Sequence, residues 1–445
     1  MISARLFILF LITLLCREIA IGEAETLPLV AISTLGITLG FGLLVKACAL
    51  TALSRTIHHS ASAETSVIIA RISESFTRYR NWAELAWLGC LPLALLATGW
   101  LSALNGFEEK GMPQALTLAL AFLPSLLFVM LVELTATQLD AYIDDQWPTE
   151  DEYVPSWGKL YVTRLRLGDF SSILTCLSPV LLIAAARDVA INLGLEFDDR
   201  ILTIGASCIG MGVFLIGFPL FLSYWSGARP IADHGLRSRI ESYLRSTRVR
   251  GVKIRLLGSE NRWSGAAILG WFPGARCLWL GDALLERLDE RQVDMVLFHE
   301  LAHVRRYHFL WRLAPVLVIA LISTCAWFAL DESLELLNED STINQLAETS
   351  TKALTLIITS VSLLYGLGAA AKRCELDADT TASKLAAKHA TWAQNDESLA
   401  GHVLVTALTE LSQGADPLKA TWLHPSLDAR IANLSSMGNK DAVLG

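Results

Sequence analysis

The chain has 445 residues, a formal net charge of −8 and 53% hydrophobic residues, which is too apolar for an ordinary soluble protein. The acidic balance carries no nucleic-acid signature. Eight scattered cysteines with no Cys-x-x-Cys pair argue against a disulfide framework and against a cysteine–zinc site.

Residues 1–24 hold Arg5, a short apolar run, and small residues around Gly22 and Ala24. The run is short for a membrane crossing. It reads as a secretory signal peptide, with a short extra anchor as the alternative. Candidate spans follow at 27–53, 85–104, 113–134, 171–191 and 201–225, so that 25–226 forms a membrane domain. Two further spans lie at 309–330 and 353–371. Each is about long enough for the roughly 30 Å of a hydrocarbon core. Pro92, Pro124, Pro179, Pro219 and Pro315 fall inside them, as membrane helices tolerate. Glu133 and Asp140 sit near a span end and read as interfacial.

The expected fold is therefore mainly α: a polytopic membrane protein of about seven spans with a small α+β catalytic domain. Arg55, Arg71, Arg78 and Arg80 occupy one loop, and a run from Arg237 to Arg255 another. Glu108 and Glu109, then Glu196, Asp198 and Asp199, then Asp331 to Asp340 occupy the alternate loops. Seven spans put the basic loops on one side, with the N-terminus outside and the C-terminus and the polar stretch 227–308 in the cytoplasm.

Residues 227–308 are the main polar stretch. Positions 232–246 read as a basic amphipathic helix. Val and Ile alternate with charge over 252–257, which predicts a strand. Further short strands are expected at 264–269 and 277–280, around the turn Phe272-Pro273-Gly274.

Next comes His299-Glu300-Leu301-Ala302-His303. On a helix, i and i+4 share a face. His299 and His303 can present two imidazoles to one zinc ion, with Glu300 beside them to hold and deprotonate a water. Such a five-residue pattern recurs by chance, so its context decides. Asp289 and Gln292 have capping-box spacing, and no Gly or Pro interrupts 290–313. The motif thus falls mid-helix.

A zinc peptidase needs a third protein ligand. The extended pattern His-Glu-x-x-His-x-x-Gly-x-x-His is excluded, because Arg306 and Phe309 stand at its Gly and His positions. The other class draws a Glu from a later helix. Glu375, 72 residues after His303, is the candidate, and Asp379 one turn on can accept the second ring N–H of a zinc-bound His. Two crossings between His303 and Glu375 return both to one side of the membrane. Residues 372–445 would then form a helical cytoplasmic segment completing the site, with 384–414 helical. His58, His59, His234, His308, His389 and His402 lack ligand spacing and read as structural or exposed; Asp377 reads as solvated.

Three ordered motifs carry a resemblance: His299–His303, then Glu375-x-x-Ala378-Asp379, then His424-Pro425-Ser426-Leu427-Asp428-Ala429-Arg430. Together with residues 278–288 they resemble the M48 metallopeptidase family, which includes membrane CAAX prenyl proteases and bacterial membrane quality-control proteases. The stretch His299–Arg306 is also similar to the M56 family of membrane sensor proteases, and the His-Pro-x-x-x-x-Arg element favours M48. The resemblance implies a zincin-like, gluzincin-type metalloendopeptidase with one Zn2+ per chain on His299, His303 and Glu375, and Glu300 as general base. It further implies that Asp379 orients a ligand, that His424 stabilises the oxyanion, and that Arg430 pairs with a site carboxylate. A strand edge near 264–270 would pair with an extended peptide substrate. Family members usually carry Asn-Ala there, where this chain has Ser264-Gly265-Ala266-Ala267. The implied partners are a protein or peptide substrate and the lipid bilayer.

Overall fold

A computed structural model describes residues 4–20, 27–59, 65–146, 156–195, 198–258, 263, 265–335, 342–412 and 420–441. The expected cleavage region near Gly22 and Ala24, Ser264, and the acidic positions Glu196, Glu339 and Asp340 lie outside these residues. The chain divides into two compact units, Met1–Phe214 and Leu215–Gly445.

The first unit is all helix: α1 (Ala4–Ile19), α2 (Leu27–His59), α3 (Thr65–Leu96), α4 (Trp100–Glu109), α5 (Gln114–Ala121), α6 (Leu123–Gln146), α7 (Trp157–Leu167), α8 (Asp169–Asn192) and the start of α9 (Asp199–Trp225). Four stretches are long and apolar enough to cross a bilayer: Pro28–Arg55, Leu123–Gln146, Trp157–Asn192 and Ile201–Trp225. Two bent pairs, Glu74–Leu96 with Trp100–Glu109 and Glu290–Arg305 with His308–Ser323, pass when each pair is taken together. That gives four to six spans among the described residues, against about seven expected. The chain is an integral membrane protein of mainly helical fold. Trp87 anchors one core, stacked on Phe128 at 4.9 Å and edge-on to Phe41 at 5.3 Å. Leu9 and Cys16 of α1 are buried in the same core.

Glu133, expected to be interfacial rather than buried, is buried. It is 3% exposed, mid-helix in α6, with Arg164 at 3.5 Å and Arg80 at 3.7 Å. Arg80 also pairs with Glu84 at 2.7 Å and with Asp169. α6 runs well past the apolar stretch, and two other helices, α3 and α7, bring compensating arginines to Glu133.

The second unit contains the rest of α9, β1 (Arg229–Pro230), α10 (His234–Ser246), β2 (Val252–Leu257), β3 (Ala266–Leu269), β4 (Arg276–Gly281), α11 (Asp282–Arg287), α12 (Glu290–Arg305), α13 (His308–Glu335), α14 (Thr342–His389), a 3-10 turn (Thr391–Ala393), α15 (Glu397–Leu411) and α16 (Leu427–Asp441). The sheet order is β1-β2-β4-β3, with β2 and β4 parallel and both outer pairs antiparallel. β3 is therefore an edge strand. The β3–β4 link turns on Gly270 and Gly274, whose φ values of +83° and +91° favour glycine. A Cβ on Gly270 would meet the Ala275 carbonyl at 2.4 Å.

The predicted strands appear at 252–257, at 266–269 and at 276–281, and the basic helix as α10. The helical reading of 384–414 breaks after His389. Gln394 and Asn395 adopt left-handed backbone angles, and Asp396 starts α15 as its N-cap. The core joins α10, the sheet, α12, α14 and α15 around Phe298, Leu297, Leu280 and Ala382. One buried acid serves as a polar hub there. Asp294 accepts from Tyr243 at 2.8 Å and from Trp392 at 3.1 Å, and it pairs with Arg239 at 3.1 Å.

Candidate metal centre and active site

α12 is a well-specified helix. The Asp289 side chain accepts from the Gln292 N–H at 2.8 Å, and the Gln292 side chain accepts from the Asp289 N–H at 3.0 Å. Apolar Val293, Met295, Val296, Leu297 and Phe298 bury the helix among the sheet and α14. It belongs to this polar segment, ahead of the apolar run that begins in α13. The helical repeat places His299 and His303 on one face, as i, i+4 spacing requires.

α14 supplies the other half. Glu375 and Asp379, also i, i+4, face α12 and are 3% and 0% exposed. His299 Nε2 lies 3.6 Å from Glu375 Oε2, His303 Nε2 lies 3.5 Å from Glu375 Oε1, and the two Nε2 atoms are 3.2 Å apart. Among the described residues these three form the one group of side chains placed to hold a metal. A tetrahedral zinc with ligand distances of about 2.0–2.2 Å needs its donors about 3.3–3.5 Å apart. The triangle fits that ion.

The surrounding groups are ordered around the triangle. Asp379 Oδ1 lies 2.9 Å from His299 Nδ1, and Arg430 clamps Asp379 with bonds of 2.8 and 2.6 Å. Arg430 comes from α16, which is pinned to α14 where Asn433 donates to the Leu376 carbonyl at 3.0 Å. His424 Nδ1 lies 3.3 Å from Glu375 Oε2. Its loop is latched to α14 by Trp422, which donates to the Leu364 carbonyl at 2.8 Å and packs where a side chain on Gly368 would sit. Glu300 is half-buried, and its Oε2 accepts the Ile268 N–H of β3 at 3.0 Å. All seven residues singled out from the sequence thus converge within one site.

Three further residues border the site. His308, expected to be structural or exposed, is 3% exposed and lies 2.8 Å from His303, Nδ1 to Nδ1. Asp377, expected to be solvated, sits 2.8 Å from His308 Nε2 and takes Arg306 at 2.9 and 3.3 Å. On a straight helix residue i+5 lies about 140° from residue i, which would keep His308 away from His303. The chain bends by 48° between α12 and α13, with Tyr307 at φ 53°, and folds His308 back onto His303. Arg312 was not singled out; it donates to Glu375 Oε1 at 2.8 Å.

These contacts set the charges. Burial pushes the Glu300 carboxyl up to about 7, only partly offset by the nearby His299. Burial lowers the His299 pKa, but its bonds to Asp379 and Glu375 outweigh that and raise it to about 9. Burial, then the charge on His299, holds His303 well below the ordinary imidazole range. Glu375 and Asp379 are pushed up by burial yet end far below and below the carboxylate range, through His299 and His424 on one and Arg430 and His299 on the other. Such a site can hold a divalent cation and keep one carboxylate poised near neutrality.

No curated protein matches the chain. Among solved structures it is similar to the crystal structure of S. mikatae Ste24p, with 14% identity, 93% of this chain and 100% of that chain covered, and a TM-score of 0.45. Residues 231–438 match the model of peptidase family M48, a span that contains all three motifs. That match, over a little under half of the chain, makes residues 231–438 of this membrane chain similar to peptidase family M48.

Proposed function

We propose that the chain is a zinc-dependent membrane metalloendopeptidase that cleaves membrane-associated or unfolded proteins. The observation that carries this reading is the His299–His303–Glu375 triangle with Glu300 beside it. When bound, zinc supplies a Lewis acid that polarises the scissile carbonyl and lowers the pKa of a water to about 7.

The protein's own residues do the rest. Glu300 accepts the proton of the attacking water through its carboxylate and returns it to the leaving amine. Its pKa near 7 suits both transfers. Asp379 fixes the His299 ring so that Nε2 points to the metal, and Arg430 holds Asp379. His424, on a latched loop beside Glu375, donates to the oxyanion of the tetrahedral intermediate. The exposed edge of β3 offers backbone groups to an extended substrate. The basic residues within 55–80 and 237–255 favour a cytoplasmic site.

The test is to purify the protein in detergent and measure bound zinc and cleavage of casein or a model peptide, with Glu300→Gln beside the wild type. The expected result is about one zinc in both proteins, with cleavage down by about 10²–10⁴-fold or more in Glu300→Gln. Absence of zinc from the wild type, or undiminished cleavage by Glu300→Gln, overturns the reading.

A further inference from the structure

His299 has an evident orienting partner in Asp379. His303 has no carboxylate on its Nδ1. It has His308, 2.8 Å away, and behind it Asp377, 2.8 Å from His308 Nε2. His308 is nearly enclosed, with 4% of its side chain exposed, and Asp377 is held in place by the Arg306 guanidinium.

The protons in this chain of atoms have one consistent arrangement. His303 turns Nε2 towards Glu375 and His299, so that atom must offer a lone pair to a metal. Its proton then sits on Nδ1, since a neutral imidazole carries one N–H. His303 Nδ1–H donates to His308 Nδ1. His308, an acceptor at Nδ1, carries its own proton on Nε2 and donates it to Asp377 Oδ2. Every polar atom in the row is satisfied, and the ring of His303 is locked in both tautomer and orientation.

We infer that His308 and Asp377 are positioning residues for the metal ligand His303, forming a histidine-bridged counterpart to the direct Asp379–His299 contact. The bend after Arg306 exists in the fold where it places His308 against His303. The inference rests on the zinc reading above.

The test uses the full-length protein in detergent. The zinc dissociation constant is measured by competition with a chromophoric chelator, and the visible spectrum is recorded after cobalt substitution. His308→Ala is expected to weaken zinc binding by about 10–100-fold and to shift the cobalt bands. His308→Gln is expected to recover most of the loss, because its amide oxygen can accept from His303 and its NH2 can donate to Asp377. Asp377→Ala, at a half-exposed position, moves both readouts in the same direction by less, and it serves if His308→Ala does not fold. Wild-type affinity and spectrum in both alanine variants overturn this inference while leaving the zinc reading intact. So does a His308→Gln protein as impaired as His308→Ala. A wild type that binds no zinc overturns the zinc reading, and the inference with it.

Discussion

Arg430 grips Asp379 with two parallel bonds, at 2.8 and 2.6 Å, and so ties α16 to a carboxylate with no solvent exposure. Such a fork matches carboxylate geometry in a way that a lysine ammonium does not. Removing one member of a buried pair leaves the other charged and desolvated. Arg430→Ala is expected to cost about 3–5 kcal/mol, seen as a lowered unfolding midpoint in detergent, together with weaker zinc binding. Arg430→Lys should restore only part of the stability. Unchanged unfolding of Arg430→Ala would mean that α16 is held by other contacts.

The raised pKa of His299 predicts how pH acts on the metal-free protein. Its folded pKa of about 9 lies above the ordinary value of about 6.5. Protonated His299 therefore contributes stability that is fully present below about pH 6.5 and is lost as pH rises through about 9. Zinc needs the deprotonated ring, so uptake in this window releases a proton and strengthens as pH rises. The expected result is a gap in unfolding midpoint between zinc-loaded and chelated protein that widens from pH 6.5 to 9. A gap independent of pH would contradict it.

Trp422 predicts a loss of activity without a loss of metal. Its indole N–H reaches the Leu364 carbonyl, and the loop it anchors carries His424. Direct removal of a donor to the oxyanion costs about 10²–10³ in kcat, which is the expectation for His424→Ala. Trp422→Ala should show a smaller fall in kcat with zinc content unchanged. Gly368→Ala should act in the same direction, because its Cβ would meet the indole at 2.9 Å. Metal analysis beside steady-state kinetics checks all three, and a Trp422→Ala protein that loses zinc instead would assign the latch to the ligand shell.

The capping box at the start of α12 makes a modest prediction about stability. Asp289→Ala removes the acceptor for the Gln292 N–H and should cost about 0.5–2 kcal/mol, read from unfolding midpoints, with zinc affinity unchanged.

The parts of the site that were legible in the sequence are those set by short-range rules. Asp289 and Gln292 announce a helix start, His299 and His303 a shared face, Glu375 and Asp379 a second shared face, and 252–257 a strand. Arg430 and His424 were named only through family resemblance, since nothing local says that they return to α14. The contact of His308 with His303 was not legible because the bend at Tyr307 occurs without Gly or Pro to announce it. Arg312 was overlooked for a related reason: its partner Glu375 is 63 positions away. Glu133 shows the same limit in the first unit, where arginines from distant helices, not distance from a span end, decide whether a carboxylate can be buried.

β3 is a rim strand whose Ile268 N–H is already taken by the Glu300 carboxylate. A bare rim invites any other strand to join it, and here a negative side chain stoppers the invitation. A polypeptide that pairs along β3 must bring its own carbonyl to that N–H and so evict the carboxylate. One bond is swapped for another, a charge-assisted bond for a neutral one. The stopper and the base are the same residue, so pulling one sets the other free. A folded, compact protein offers no extended main chain to make the swap and would leave Glu300 docked.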